Sequence, residues 1–270
     1  MARARRRTTR PRDVEALVAR MEKRIKRASS LPRQQKFLFY GEPGSRKTRL
    51  ASSAPDPLII DINDQGYDSV RRDYDPSYVL LDRWQDLNDV YWYLQSGEHS
   101  FQTVALDHVT NLQNICMSFV LGDEVSRDAS RDPDMPSRQA WGKVGQLMKT
   151  QIINFRNLPM NVVFLAQLRA TEVEGGDEET FIKLGPEVSP SIQKVLTASV
   201  GTIGMLTKKD VFIKSRDTKR RRRETRTRLM IGDSERYISK DRNHVFGEFV
   251  DAPDLSTMIE AIYEDKEAEE

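Results

Sequence analysis

Residues 37–48 of this 270-residue chain, FLFYGEPGSRKT, decide its fold. An apolar strand ends at Tyr40, a turn containing two glycines follows, and a helical segment begins near Lys47. Glycines allow consecutive backbone N–H groups to curl around phosphate oxygens, a lysine pairs with the same oxygens, and a hydroxyl ligates Mg²⁺. The positive end of the following helix dipole faces the same phosphates. We therefore predict a nucleotide-binding loop, here called the phosphate loop, formed by Gly41, Glu42, Pro43, Gly44, Ser45, Arg46, Lys47 and Thr48.

One position departs from the strict pattern of such a loop. Glycine usually precedes the lysine, and Arg46 stands there in this chain. A side chain at this position either crowds the phosphates and strains the loop, or adds charge along the polyphosphate through its guanidinium. The alternative is an ordinary glycine-rich turn between a strand and a helix.

Short apolar strands alternate with helical stretches on the C-terminal side of this loop. Strands are predicted at 36–40, 58–62, 78–81, 101–106, 161–166 and 201–206, and helices at 47–54, 83–95, 109–121, 138–157 and 189–198. This alternation predicts an α/β fold with a mostly parallel sheet flanked by helices. Residues 122–136 are expected to form a long loop and residues 168–185 a mobile hairpin. Beyond residue 206 the pattern favours antiparallel strands at 210–214, 225–231 and 236–239, followed by a final helix at 255–263.

The same pattern predicts how the chain is organised. We expect a disordered basic tail (1–12), an N-terminal helix (13–30), the nucleotide-binding core (31–206), an extension of the same domain (207–263) and an acidic tail (264–270). Four side chains on predicted helices are expected to lie in the core. They are Trp84, Trp92, Trp141 and Cys116.

Composition excludes several classes of protein. With 38% hydrophobic and 31% charged residues, the chain has the balance of a soluble globular protein. No apolar run exceeds five residues, so we predict no membrane-spanning helix, no membrane partner and a cytoplasmic location. A single cysteine and three scattered histidines give neither a disulfide framework nor a metal site built from cysteine or histidine.

The net charge of +2 conceals two strongly basic segments. Residues 1–12 carry six arginines and no acid, and residues 214–228 carry nine basic residues against two acids. Concentrated arginine and lysine favour a polyanionic partner, because neutralised phosphates release their counterions. The residues expected to contact nucleic acid here are Lys219, Arg220, Arg221, Arg222 and Arg223. A solvated tail and a solvated hairpin remain the alternative.

Polar side chains at the ends of three other strands complete the predicted site. Asp107 follows the strand 103–106, where a carboxylate can hold Mg²⁺ through water. Asp64 is the candidate for orienting an attacking water, with Asp61 and Asn63 as competing positions and a plain turn as the alternative. Gln167 can touch a γ-phosphate and transmit its presence to the next loop, or simply cap its strand.

In this order, the elements resemble the RecA-like core ATPases. They are more closely similar to the phage-encoded nucleotide-binding proteins of the AAA type, which include RecA-like single-strand annealing and recombination proteins. The resemblance covers about residues 33–263 and rests on the segments 37–48, 58–66, 103–112, 139–152, 162–169 and 238–242. It implies a RecA-like P-loop NTPase core with a C-terminal antiparallel β extension and with ATP and Mg²⁺ as cofactors.

The resemblance also implies roles for single residues. Lys47 and Thr48 would bind phosphate and Mg²⁺, Asp107 would be a Mg²⁺ acid, Asp64 the water-positioning acid and Gln167 the γ-phosphate sensor. The loops at 122–136 and 168–185 would line a DNA path, with Arg169 at its edge. Lys240 and Arg242 would reach a nucleotide at the boundary with a neighbouring subunit.

These expectations lead to one main hypothesis and two alternatives. The main hypothesis is an ATP-binding protein, and an ATPase, that binds single-stranded DNA in phage-type recombination, annealing, repair or replication. It would act as a ring or filament of identical subunits in the host cytoplasm, with a single-strand-binding protein as a possible partner. The first alternative is a non-hydrolysing protein with a degenerate loop that acts as a scaffold for DNA or protein. The second is a helicase-loader-type ATPase or a small-molecule kinase.

Overall fold

The computed structural model describes residues 14–27, 30, 33–63, 65–128, 130, 132, 135–174, 180–214 and 221–264. It divides the chain into two units, 1–33 and 34–270. In the first unit, α1 (Val14–Glu22) is a nine-residue helix that buries no side chain and is shorter than the predicted span. The tails predicted at 1–12 and 264–270 lie outside the described residues, apart from Glu264 at the end of the last helix.

The second unit is built on a ten-stranded mixed sheet. In chain order its elements are β1 (Lys36–Gly41), α2 (Lys47–Ser52), β2 (Pro57–Asp61), a 3₁₀ turn (Gly66–Ser69), β3 (Ser77–Leu80), α3 (Asp86–Ser96), β4 (Thr103–Asp107), α4 (Val109–Arg127), α5 (Arg138–Arg156), β5 (Asn161–Glu174), β6 (Thr180–Pro186), α6 (Pro190–Ser199), β7 (Thr202–Lys214), β8 (Arg221–Met230), β9 (Lys240–Asp241), β10 (Phe249–Asp251) and α7 (Leu255–Glu264).

The strand order is β10-β8-β7-β1-β5-β4-β2-β3. Six strands, β1 to β5 and β7, run parallel to one another, while β8 pairs antiparallel with β7 and β10 antiparallel with β8. Parallel strands need helical crossovers, and their near-continuous apolar sequences fit a sheet buried on both faces. The predicted fold class is confirmed: a mostly parallel central sheet, flanking helices and antiparallel strands towards the C-terminus.

The core lies on both faces of this sheet, as the alternation along β1 illustrates. Leu38 and Tyr40 belong to the cluster shared with α3, α4, α5 and α6, while Phe37 and Phe39 belong to the cluster shared with α2 and α7. Successive strand residues point to opposite faces, so β1 is central to both layers. Cys116 is fully buried in the first layer, as predicted.

Several predicted elements differ from the observed ones. The loop predicted at 122–136 was wrong in its first part, because α4 continues to Arg127 and Asp123 pairs there with both Arg127 and Lys143. The strands predicted at 201–206 and 210–214 form one strand, β7. The strand predicted at 236–239 is reduced to an isolated bridge between Leu184 and Tyr237.

The tryptophan predictions were correct at one position and wrong at two. Trp84 is buried, whereas Trp92 is 65% and Trp141 44% exposed. On α3 the buried residues are Leu87, Val90 and Leu94, and Trp92 lies on the other side of the helix. An apolar residue on an amphipathic helix is buried only when it lies on the inward stripe.

Both neighbours of β1 extend well past the phosphate loop. Gly41 at the end of β1 is opposite Gln167 of β5 on one side and Leu206 of β7 on the other. Beyond these points β5 continues into the β5–β6 hairpin and β7 into the β7–β8 hairpin. The loop therefore lies between two hairpins. It is at the carboxyl ends of the parallel strands, which is where open α/β sheets bind their ligands.

Candidate nucleotide-binding site

Two glycines of the phosphate loop occupy positions that other residues would fill poorly. A Cβ at position 41 would lie 2.6 Å from the carbonyl oxygen of Leu206 and 2.7 Å from Ser45 Oγ. Gly44 has φ +73°, in the left-handed region that favours glycine. The loop therefore follows a tight path close to β7, and its sequence is matched to that path.

Arg46 adopts the same left-handed backbone without being glycine. Its φ is 72° and its ψ is 32°, and it directly precedes α2. This conformation explains why glycine is usual at this position. The arginine side chain lines a groove of about 540 Å³ beside α2, together with Arg49, Tyr74 and residues of β8 and the 251–254 segment. The chain thus keeps the glycine-type backbone and accommodates the side chain in a neighbouring groove.

Lys47 lies across the loop. Its Nζ donates hydrogen bonds to the carbonyl oxygens of Gly41 and Glu42, both at 3.0 Å. The residue is only 7% exposed, so these bonds satisfy a buried ammonium. A cation held within the loop by main-chain oxygens is well placed to transfer to phosphate oxygens that are stronger acceptors.

The hydroxyl and the acid predicted to hold Mg²⁺ are in direct contact. Thr48 Oγ1 donates to Asp107 Oδ2 at 2.6 Å, although the two residues are 59 apart in sequence. Asp107 is 2% exposed. Gly66 closes over this pair, since a Cβ there would lie 3.0 Å from Thr48 Oγ1 and 3.5 Å from Asp107 Oδ2. A hydroxyl beside a single carboxylate fits Mg²⁺, which typically binds one or two protein oxygens and the substrate phosphates.

The segment after β2 is more constrained than its sequence indicates. Asp61 is buried and its Oδ1 accepts the backbone N–H of Gln65 at 3.2 Å. Asn63 and Gln65 both have positive φ values, 54° and 51°. Asp64, the predicted water-positioning acid, lies outside the described residues. Of the two competing positions, Asp61 shapes the turn and Asn63 is exposed.

Gln167 meets a residue that sequence reasoning missed, His108. The Gln167 side-chain amide lies 3.0 Å from His108 Nε2, and His108 Nδ1 accepts the N–H of Asn111 at 3.2 Å. His108 therefore joins the side-chain nitrogen of Gln167 to the first turn of α4. The signal in the sequence was the position of His108 directly after the predicted Mg²⁺ acid.

The backbone of Gln167 is fixed as firmly as its side chain. Its N–H donates to Thr110 Oγ1 at 3.1 Å, and its carbonyl oxygen accepts from Glu187 N at 2.8 Å. Residue 167 is therefore bonded to the segment after β4 and to the segment after β6. A displacement of Asp107 or His108 can therefore shift the base of the β5–β6 hairpin through the side chain of Gln167.

The basic residues predicted to contact DNA are placed unevenly. Arg169 lies on β5, where it lines a groove of about 320 Å³ with Lys183 of β6. Arg221 and Arg222 begin β8, and Arg223 forms an ion pair with Asp210 that lowers the pKa of this carboxyl. Lys219 and Arg220 lie outside the described residues.

Lys240 and Arg242 lie away from the phosphate loop of their own chain. Lys240 Nζ donates to the carbonyl oxygens of Thr197 (3.1 Å) and Val200 (2.7 Å) at the end of α6, and burial lowers its pKa. β9 pairs with the first residues of β7, at the opposite edge of the sheet from Gly41. Their contact with a neighbouring subunit stays a prediction.

A family model described as an AAA domain matches residues 33–243. The chain belongs to this AAA domain family. Among solved structures, a KaiC-like protein from the hyperthermophilic archaeon Pyrococcus horikoshii OT3 is similar, with 10% sequence identity and a TM-score of 0.40. That match covers 81% of this chain and 89% of the other. No curated protein matches the chain.

The matched span of the AAA domain contains the whole candidate site. The phosphate loop, Asp107, His108 and Gln167 all fall within residues 33–243. Among the helices that the structure describes, none combines the length and apolar character needed to span a bilayer. The site can therefore be summarised as a P-loop within an AAA domain, with Arg46 before the lysine and His108 directly after the acid.

Proposed function

We propose that this AAA domain binds ATP with Mg²⁺ on the phosphate loop, hydrolyses it, and uses the nucleotide state to control binding of single-stranded DNA. The observation that supports the nucleotide site most strongly is the 2.6 Å hydrogen bond between Thr48 Oγ1 and Asp107 Oδ2. It joins the hydroxyl that follows the loop lysine to the acid at the end of β4. The process served, in this proposal, is recombination, annealing, repair or replication.

Each part of the site has a task in this proposal. Lys47 moves from two carbonyl oxygens to the phosphates, and the loop N–H groups with the first turn of α2 bind the remaining oxygens. Thr48 and Asp107 hold the metal, directly or through water. Bound Mg²⁺ supplies neutralisation of the negative charge on the phosphates.

The pair His108–Gln167 supports coupling between nucleotide and DNA. His108 follows Asp107 directly, and Gln167 lies at the point where β5 leaves the parallel sheet for the β5–β6 hairpin. A change in how Gln167 is held would therefore alter the base of this hairpin first. Segments that respond to a γ-phosphate commonly act as such switches.

The β5–β6 hairpin has one face suited to a nucleic acid strand. Thr171 is opposite Lys183 and Val173 is opposite Phe181, so Arg169, Lys183 and Phe181 share a face. Arginine and lysine bind phosphates and an aromatic ring stacks on bases. The other face presents the acids Glu172 and Glu174, which gives the hairpin a preferred side.

The DNA proposal is tested with fluorescence anisotropy on a labelled oligonucleotide, with and without MgATP. We expect wild-type protein to bind more tightly with MgATP, and to lose affinity steeply as salt rises. Lys47→Ala is expected to abolish the MgATP effect, and Lys194→Ala, which removes an exposed lysine on α6, is expected to retain it. Equal DNA binding with and without MgATP in the wild type would refute the coupling.

A second candidate is a nucleotide-dependent DNA-binding protein that does not hydrolyse ATP. The strained backbone at Arg46 favours it, because hydrolysis depends on precise placement of the phosphates. Phosphate release above background that is lost in Asp107→Asn would exclude this candidate. The homo-oligomeric ring or filament stays a prediction from the family resemblance.

A further inference from the structure

Lys208 on β7 lies next to the phosphate loop although it is 160 residues away from it in sequence. β7 runs parallel to β1, with Leu206 opposite Gly41. At about 3.3 Å per residue, Lys208 is about 7 Å beyond that point in the direction in which the loop leaves β1. The strand therefore brings a lysine alongside the loop.

The side chain of Lys208 is on the face of the sheet where α2 packs. Leu206 belongs to the core layer formed with Leu50 of α2, and side chains two residues apart on a strand share a face. Thr227 is opposite Lys208 on β8 and precedes Leu229, which belongs to the same layer. Lys209 points to the opposite face, so two adjacent lysines have different surroundings.

The ammonium of Lys208 lies close to the loop backbone. Its Nζ is 3.6 Å from the point where a Cβ of Gly44 would stand. With Glu42 and Ser45 it lines a cavity of about 330 Å³. Ser45 is 3% exposed, and its hydroxyl has no hydrogen-bond partner among the described residues. Within the described part of the chain, the side chain of Lys208 forms no ion pair.

We propose that Lys208 binds the terminal phosphate oxygens of the nucleoside triphosphate, as a second lysine that β7 supplies from within the same chain. This inference rests on the proposed nucleotide-binding function. The cation is exposed, lies on the same face of the sheet as α2 and comes close to Gly44 of the loop, where an additional charge-assisted hydrogen bond can form. Since Lys208 lies at the root of the β7–β8 hairpin, it also links that basic hairpin to the nucleotide.

The test compares three variants by titration calorimetry with MgATP, in low salt and without DNA. Lys208→Ala is expected to bind MgATP about tenfold more weakly than wild type, as for the loss of one charge-assisted bond. Lys208→Arg is expected to restore most of the affinity, because it keeps a cation. Lys209→Ala is the matched control, and its affinity should stay within about twofold of wild type.

Two results would overturn the inference without touching the proposed function. One is wild-type affinity in Lys208→Ala, and the other is an equal loss in Lys208→Ala and Lys209→Ala, which would indicate a general effect of charge. If wild-type protein itself gives no heat with MgATP, the proposed function and the inference fail together. Circular dichroism of each variant shows whether an affinity loss comes from unfolding.

Discussion

Glycine at position 46 should make the protein more stable than alanine there, although both replacements delete a charged side chain. Arg46 has φ 72° and ψ 32°, a conformation that costs a residue with a Cβ about 1–2 kcal/mol. Glycine removes this cost, but its greater freedom in the unfolded chain lowers the free energy of unfolding by about 0.5–1 kcal/mol. The expected net gain for Arg46→Gly over Arg46→Ala is therefore about 0.5–1 kcal/mol, or a rise in Tm of about 1–4 °C for a domain of this size.

The comparison with alanine isolates the backbone. Both variants lose the guanidinium from the groove beside α2, so they differ only in the Cβ at position 46. Urea unfolding followed by circular dichroism gives the free energy of unfolding of each variant. If Arg46→Ala were as stable as Arg46→Gly, or more stable, the left-handed backbone would not be a source of strain and the reasoning would be refuted.

Two further perturbations test other parts of the site and fold. Gly66→Ala places a Cβ 3.0 Å from Thr48 Oγ1, so its affinity for MgATP, measured by calorimetry, should fall several-fold. The control is Gly122→Ala, which has open space around it and should bind MgATP as the wild type does. Equal affinities of the two variants would contradict the placement of Mg²⁺ at Thr48 and Asp107. Burial, followed by the charge of Arg156, lowers the pKa of Lys36 from 10.5 to about 8. The unfolded chain then binds more protons between these values, so the free energy of unfolding should rise from pH 8 to pH 10. In urea titrations at several pH values, the free energy of unfolding of Lys36→Met should rise less steeply with pH than that of the wild type. An unchanged dependence on pH would exclude Lys36 as the cause of the rise.

The parts of the fold that sequence predicts well are those with a local cause. The phosphate loop was recognisable because glycines, lysine and hydroxyl stand within eight residues between a strand and a helix. The central parallel strands were recognisable because a strand buried on both faces must be apolar at nearly every position. Sequence also predicts that Asp107 lies beside Thr48, because Asp107 ends one parallel strand and Thr48 follows the loop after another at the same edge of the sheet.

What sequence could not predict depends on the order of strands and the rotation of helices. The His108–Gln167 contact exists because β5 lies between β1 and β4, which no local pattern encodes. Lys208 reaches the loop because β7 is the other neighbour of β1. The exposure of Trp92 follows from the rotation of α3 about its axis, and a single apolar side chain does not determine that rotation.

The central claim is that the phosphate loop binds a nucleoside triphosphate despite Arg46. Titration calorimetry of wild-type protein with MgATP tests it most directly, with Lys47→Ala as the reference. We expect saturable heat for the wild type and none for Lys47→Ala. An absence of heat from the wild type at millimolar MgATP, or equal heat from both proteins, would contradict the claim.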